Sequence, residues 1–266
     1  MALSHIIWLS LIQGITEFLP VSSSGHLNLL HALTDYPDQG VGFDVALHFG
    51  TLIAVLLYFR NDVASLMMGL MDLAQKRRSD NRHLLFQILI ATFPVLLAAA
   101  LLVVTGWVDL LRNAQTVAIA TMAFAVPLYL ADRFCVQDMK LAEQTLGRAL
   151  MVGLAQMFAL IPGASRAGVT ITAARALGIG RVEAARFSML LSIPVILCFT
   201  LFSLMEVAIE GGGTALKPMF LGMTFAGVTA LISIHIFMKM TAKMSFLPFV
   251  LYRLLLGTVI LTAVAG

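Results

Sequence analysis

Two stretches decide how this chain is read: Leu19-Pro20-Val21-Ser22-Ser23-Ser24-Gly25-His26 and Ile161-Pro162-Gly163-Ala164-Ser165-Arg166-Ala167-Gly168. Each cuts an apolar segment, Met1–Ala32 and Arg148–Leu177 respectively, into halves too short to span a bilayer. The Pro, Gly and Ser content of each break is that of a chain reversal. Paired half-helices meeting at a loop inside the membrane follow, since irregular backbone persists at that depth only when buried in protein or lining a wet cavity.

Composition sets the solvent. Of 266 residues, 60% are hydrophobic and 12% are charged, against about 25% charged in a soluble domain. Mean hydropathy is +0.95. Disorder, a coiled coil and a disulfide-stapled domain are excluded, and a soluble globule of this size has too little interior to hide so much apolar surface. Six stretches are apolar and long enough to cross: Phe43–Phe59, Leu84–Val104, Thr116–Ala131, Ala184–Met205, Met219–Met238 and Leu247–Ala265. Pro94, Pro127 and Pro194 lie inside them as expected kinks. Cys135 and Cys198 indicate neither a disulfide nor a metal site. The N-terminus lacks a basic leader and carries Gln13 and Glu17, so it reads as mature protein.

The net charge of +3 reflects membrane sidedness rather than nucleic-acid binding. Arg60, Lys76, Arg77, Arg78, Arg82, Arg133, Lys140, Arg148, Arg175, Arg181, Arg186, Lys239 and Lys243 all fall on one side if both broken segments return to the side they entered from. Only Arg112 and Lys217 fall opposite. The positive-inside rule makes the thirteen cytoplasmic and both termini external. With Pro20 aligned on Pro162, Ser23 meets Ser165, and Gln13 comes within one residue of Gln156. The expected fold is an all-α polytopic membrane protein with six transmembrane helices and two re-entrant helix-loop-helix segments. Its inverted-repeat halves are 1–134 (re-entrant 1–34) and 147–266 (re-entrant 148–178), a plan that places sites near the midplane.

Charges at membrane depth need a reason. Glu17 and Arg166 lie in the two broken segments and meet if the segments meet. Gln13, Glu17, Ser22, Ser23, Ser24 and His26 would then share a pocket with Ser165, Arg166 and Thr170. Gln13 and Glu17, four apart, share a helix face. Two helix N-termini and a guanidinium fork favour a phosphate. A Ser, a His and a carboxylate are the parts that activate a hydroxyl, and Glu17 with Gln13 suits a divalent cation, Mg²⁺ or Ca²⁺. Plainer roles stand beside these. Ser22 and Ser24 suit helix capping near Asn28, and Glu17–Arg166 suits a structural ion pair. His31, His48 and His235 read as structural, Asp44 as interfacial, Arg253 as snorkelling to the cytoplasmic interface, and Lys76-Arg77-Arg78 as a solvated loop meeting anionic lipid heads.

Gln13-Gly14-Ile15-Thr16-Glu17-Phe18-Leu19-Pro20-Val21-Ser22-Ser23-Ser24-Gly25-His26 and Pro162-Gly163-Ala164-Ser165-Arg166-Ala167-Gly168-Val169-Thr170 resemble the two signatures of the bacterial undecaprenyl-diphosphate phosphatase, or bacitracin-resistance, family. Phe43–Thr51 and Tyr252-Arg253 are similar to further family segments. Ala167 departs from the pattern, where the family often has Ser, and Gln13 stands where Glu is common. The resemblance implies hydrolysis of undecaprenyl diphosphate in the bacterial plasma membrane, with recycling of the cell-wall lipid carrier and resistance to bacitracin. It also implies a divalent cation and a site opening outward. By motif, Arg166 and Ser165 hold the diphosphate, Ser23 attacks, and His26 and Glu17 move protons; attack by water fits the same residues. Gln13, Ser22, Ser24 and Thr170 bind substrate. The expected partners are the polyprenyl diphosphate and membrane lipids, with no nucleic acid and with a homodimer admissible. A lipid-phosphate flippase or anion transporter is the alternative, since broken helices in an inverted repeat also suit alternating access.

Overall fold

A computed structural model describes residues 2–33, 40–106, 113–135, 138–210 and 216–265. Arg112 lies outside them, as do the side chains of Asn28 and His31. The described residues form twelve α-helices and no strand, apart from an isolated bridge between Met139 and Ile179. The helices are α1 Leu3–Thr16, α2 Ser23–Leu33, α3 Val41–Tyr58, α4 Arg60–Ala74, α5 Asp80–Thr105, α6 Ala114–Ala123, α7 Ala125–Phe134, α8 Leu146–Gln156, α9 Arg166–Ala176, α10 Arg181–Glu210, α11 Leu216–Thr241 and α12 Leu247–Ala265. Starts are set by side-chain caps. Ser79, Asn113 and Thr145 accept from backbone N–H groups three residues on, at 3.1, 2.7 and 3.3 Å. Gly106, in the left-handed region, closes α5.

Five segments are long and apolar enough to cross a membrane: α3, α5, α6 with α7, α10 as Arg181–Met205, and α11. Leu3–Thr16, Leu146–Leu160 and Leu247–Ala263 are apolar but shorter. The third expected span is divided at Phe124, because Pro127 supplies no N–H to the carbonyl of Ala123. Large side chains such as Phe93, Val104, Phe220 and Leu255 are exposed around the outside, while Phe18, Leu190, Phe237, Phe246 and Phe249 fill one continuous core. This inside-and-outside hydrophobicity is what a lipid solvent permits. The chain is a multi-pass membrane protein.

Helix α4 was not expected. It is too short and too charged for a span, and it packs on α5 where Gly69 lets the backbone of Asn81 approach.

The packing is exchanged along the chain. Helix α1 packs on α11 and α8 on α5; α2 packs on α12 and α9 on α7. Three of the four short arms, α1, α2 and α8, thus rest on a long helix distant in sequence, while α9 lies between α7 and the following α10. Both first arms use a small residue for the approach. Gly14 meets the backbone of Ala226, and Gly153 meets that of Ala91.

The candidate active site

The two broken segments converge. Their loops enclose a cavity of about 260 Å³ lined by Glu17, Ser22, Ser23 and Ser24 from one side and by Pro162, Gly163, Ser165 and Arg166 from the other. The loops touch directly, with the Gly163 N–H donating to Ser24 Oγ at 3.0 Å.

The local geometry of the loops is nearly the same. Ser22 and Ser165 have positive φ, 76° and 67°, a region costing about 1–2 kcal/mol for a residue with a side chain. Each caps the helix that follows: Ser22 Oγ accepts from Gly25 N and Ser165 Oγ from Gly168 N, both at 3.2 Å. This pairing shifts the expected alignment by one position. Ser165 corresponds to Ser22, not to Ser23, because the cap, rather than the proline, is the common feature. The same separation carries Leu3 to Leu146, Gln13 to Gln156 and the eleven residues of α2 onto the eleven of α9.

Glu17 follows the end of α1 and Arg166 opens α9. Arg166 Nη2 donates to Glu17 Oε1 at 3.3 Å, and the two side chains keep 12% and 10% exposure. Nη2 also reaches the Glu17 carbonyl at 3.4 Å, and Nη1 donates to the Ser188 carbonyl at 3.1 Å. The guanidinium stands 5.8 Å from the ring centre of buried Phe18, which adds cation–π attraction. The Gln13 amide donates to Glu17 Oε2 at 2.9 Å. The cavity thus carries a fixed cation and carboxylate beside two helix N-termini, whose first-turn N–H groups lack helical partners.

The serines divide by role. Ser22 and Ser24 share a hydrogen bond at 3.1 Å and are further committed to Gly25 and Gly163. Ser23 lines the cavity with no hydrogen-bond partner for its hydroxyl among the described residues. Thr170 does not line the cavity. Fully buried, it bonds to the Arg166 carbonyl at 2.9 Å and to Ser188 Oγ at 2.7 Å, which braces α9 against α10. His26 also stands outside the lining. Its Nδ1–H donates to the Ser22 carbonyl at 2.7 Å, and its Nε2 then accepts from the Tyr252 hydroxyl at 2.6 Å. Tyr252 stacks on the imidazole at 11° and 5.5 Å.

One arginine expectation is corrected, and one histidine stands closer to the site than its sequence neighbours suggest. His48 is not remote: its Nε2 lies 3.9 Å from Glu17 Oε2, because α3 runs beside the end of α1. Arg253 does not snorkel. It has 0% exposure and turns into the protein, with Nε donating to the Thr121 carbonyl at 2.9 Å and Nη2 to the carbonyls of Gly163 and Ala164 at 3.1 and 2.9 Å. The sequence signal was present, since Arg253 sits in mid-helix with no acidic residue on α12 to pair with. For His48 the signal was its place, one helical turn after Asp44, in the family-like segment Phe43–Thr51.

For a divalent cation the site offers the Glu17 carboxylate, whose Oε1 accepts from Arg166 and Oε2 from Gln13, and the Gln13 amide oxygen once that amide is turned; among the described residues no three His, Cys, Asp or Glu side chains converge. One carboxylate with neutral oxygens fits the manner in which Mg²⁺ is held jointly by protein and substrate phosphates.

A family model described as bacitracin resistance protein BacA matches residues 6–259. The undecaprenyl-diphosphatase of Maricaulis maris is 46% identical over 264 residues, 98% of this chain and 98% of its own length. That of Teredinibacter turnerae is 42% identical over 99% of this chain and 100% of its own, and that of Saccharophagus degradans 44% identical over 97% and 96%. Those relatives match across both loops and all the helices that position them, and this chain belongs to the BacA bacitracin-resistance family.

Proposed function

We propose that the cavity between the two loops is where undecaprenyl diphosphate is hydrolysed to undecaprenyl phosphate and inorganic phosphate. The chain is a phosphatase of the cell-wall lipid carrier, and its family ties it to bacitracin resistance. The observation that carries the site assignment is the uncommitted Ser23 hydroxyl in the same cavity as the Glu17–Arg166 pair. A flippase or anion carrier needs the binding groups but not the nucleophile.

In this reading Arg166, the Ser165 N–H and the first-turn amides of α2 and α9 bind the diphosphate oxygens. Ser23 Oγ attacks the terminal phosphorus in line with the bridging oxygen. The Ser23–phosphorus bond forms as the phosphorus–bridge bond breaks, releasing undecaprenyl phosphate. Glu17 takes the hydroxyl proton and passes it to the departing phosphate. Water then attacks the phosphoserine, Glu17 receives its proton, and Ser23 recovers a proton as inorganic phosphate leaves. His26 holds the Ser22 carbonyl and so fixes the backbone beside the nucleophile. Ser22 and Ser24 hold the loops together, and Thr170 sets Arg166 from behind. Glu17 and Gln13 would hold a divalent cation, which when bound neutralises part of the diphosphate charge.

The architecture proposed around the site has α12 as a sixth span and α1–α2 and α8–α9 as re-entrant pairs. Its two inverted halves are 1–134 and 147–266. The equal lengths of α2 and α9 and the exchanged packing support this plan. The thirteen-to-two division of basic residues supports external termini and an outward opening in the bacterial plasma membrane. The test is a phosphoserine trap. Acid quenching during turnover should leave labelled phosphate on Ser23, whereas full activity in Ser23→Ala would assign the attack to water.

A further inference from the structure

Tyr252 and Arg253 are consecutive on α12, and each reaches a different loop. Tyr252 O–H holds His26, which holds the Ser22 carbonyl at the start of α2. Arg253 holds the carbonyls of Gly163 and Ala164 just before α9. Successive helix residues point about 100° apart, so one α12 backbone serves both loops only because the loops flank it.

We infer that the Tyr252–Arg253 pair is a positioning clamp that aims the backbone of both loops at the diphosphate. Neither residue lines the cavity, so both act through the groups they hold.

Arg253 carries the stronger argument. A peptide whose carbonyl is bound from behind presents its N–H in the opposite direction. The Ala164 carbonyl accepts from Arg253, and the N–H of that same peptide belongs to Ser165, which lines the cavity. That N–H has no partner among the described residues. Binding a cation to the carbonyl polarises the amide and strengthens its N–H as a donor. The backbone here alternates handedness, with φ of +98° at Gly163 and +67° at Ser165; the Gly163 N–H goes to Ser24 Oγ and the Ala164 N–H to the Ile161 carbonyl, which leaves the Ser165 N–H as the one this turn offers to an anion. Two further features set Arg253 apart from a structural arginine. It has no ion-pair partner among the described residues, and its buried Nη1 has no hydrogen bond, beside Gly168 in the first turn of α9. A desolvated cation without a counter-ion leaves a positive potential at the loop, matched to an anion that arrives with the substrate.

Tyr252 serves the nucleophile's loop. Its hydroxyl sets the His26 tautomer and ring angle, and His26 in turn holds Ser22 at a positive φ, next to Ser23. The ring is 44% exposed, so removing the hydroxyl leaves the packing intact.

The inference rests on the proposed phosphatase reading. The experiment is steady-state phosphate release from undecaprenyl diphosphate by the full chain in detergent, with inorganic phosphate as inhibitor. Tyr252→Phe should lower kcat about tenfold and leave KM within twofold, since it affects the nucleophile's loop. Arg253→Lys keeps the charge but loses the fork. It should raise KM and the inhibition constant for phosphate about tenfold, with a smaller change in kcat. Arg253→Met should lower kcat/KM at least a hundredfold. If it does not fold, the other two variants decide. Wild-type kcat, KM and phosphate inhibition in both Tyr252→Phe and Arg253→Lys would overturn the clamp. A fall in active protein with all three constants unchanged would do the same, because it marks a purely structural role. A wild-type protein that releases no phosphate would instead reject the phosphatase site.

Discussion

The two loops share a backbone plan and differ in what they carry. Gln13 and Gln156, Ser22 and Ser165, and Gly25 and Gly168 occupy corresponding places. The position of Glu17 is Leu160 in the second loop, that of Ser23 is Arg166, and that of His26 is Val169. One loop therefore holds the carboxylate, the free hydroxyl and the imidazole; the other holds the cation. The glutamines show the consequence. Gln13 has Glu17 one turn on and supports it at 2.9 Å, whereas Gln156 reaches the Ala91 carbonyl on α5 at 3.2 Å. In the proposed reading this shared frame with divergent side chains gives the reaction its direction, with the nucleophile from one loop and charge stabilisation from the other.

Removing either member of the central pair should break this division most severely. Glu17→Ala and Arg166→Ala should each lower phosphate release at least a thousandfold, on the order of 4 kcal/mol of barrier, while the protein still inserts and purifies as wild type. Near-normal turnover in either, measured on folded protein, would reject the site. The serines come next. Ser23→Ala should lose about a hundredfold or more, against a few-fold for Ser22→Ala, whose hydroxyl only caps and bridges; equal losses would erase the distinction between them.

The glutamines test the comparison at smaller scale. Gln13→Ala should lower activity about tenfold and weaken the response to added Mg²⁺. Gln156→Ala should leave kcat/KM unchanged and cost about 1–3 kcal/mol of stability, from a lost hydrogen bond and a cavity. The smallest effect is expected for Ser165→Gly. Release of the positive φ offsets the lost cap, so thermal unfolding should move by no more than a few degrees, upward if at all.

Much of this was legible because the membrane makes charge and irregular backbone expensive. Glu17, Arg166 and the two Pro-Gly-Ser breaks stand out for that reason, and all of them reach the cavity. Five of the expected spans appear as helices of sufficient length and hydropathy. What stayed hidden was of another kind. The register of the loops depends on which serine turns to positive φ, and prolines mislead there. Helix α4 is amphipathic and too short for a hydropathy reading. Arg253 sits in mid-helix, and its direction depends on the carbonyls that α6 and the second loop happen to present. His48 joins Glu17 through the packing of α3 against α1, which no spacing within either helix encodes.

The phosphatase assignment is decided by measuring phosphate release from undecaprenyl diphosphate by the purified protein in detergent, with and without a chelator. It predicts stoichiometric inorganic phosphate and undecaprenyl phosphate, suppressed by the chelator and restored by Mg²⁺ or Ca²⁺. A folded, lipid-binding protein that releases no phosphate under any of these conditions would contradict it.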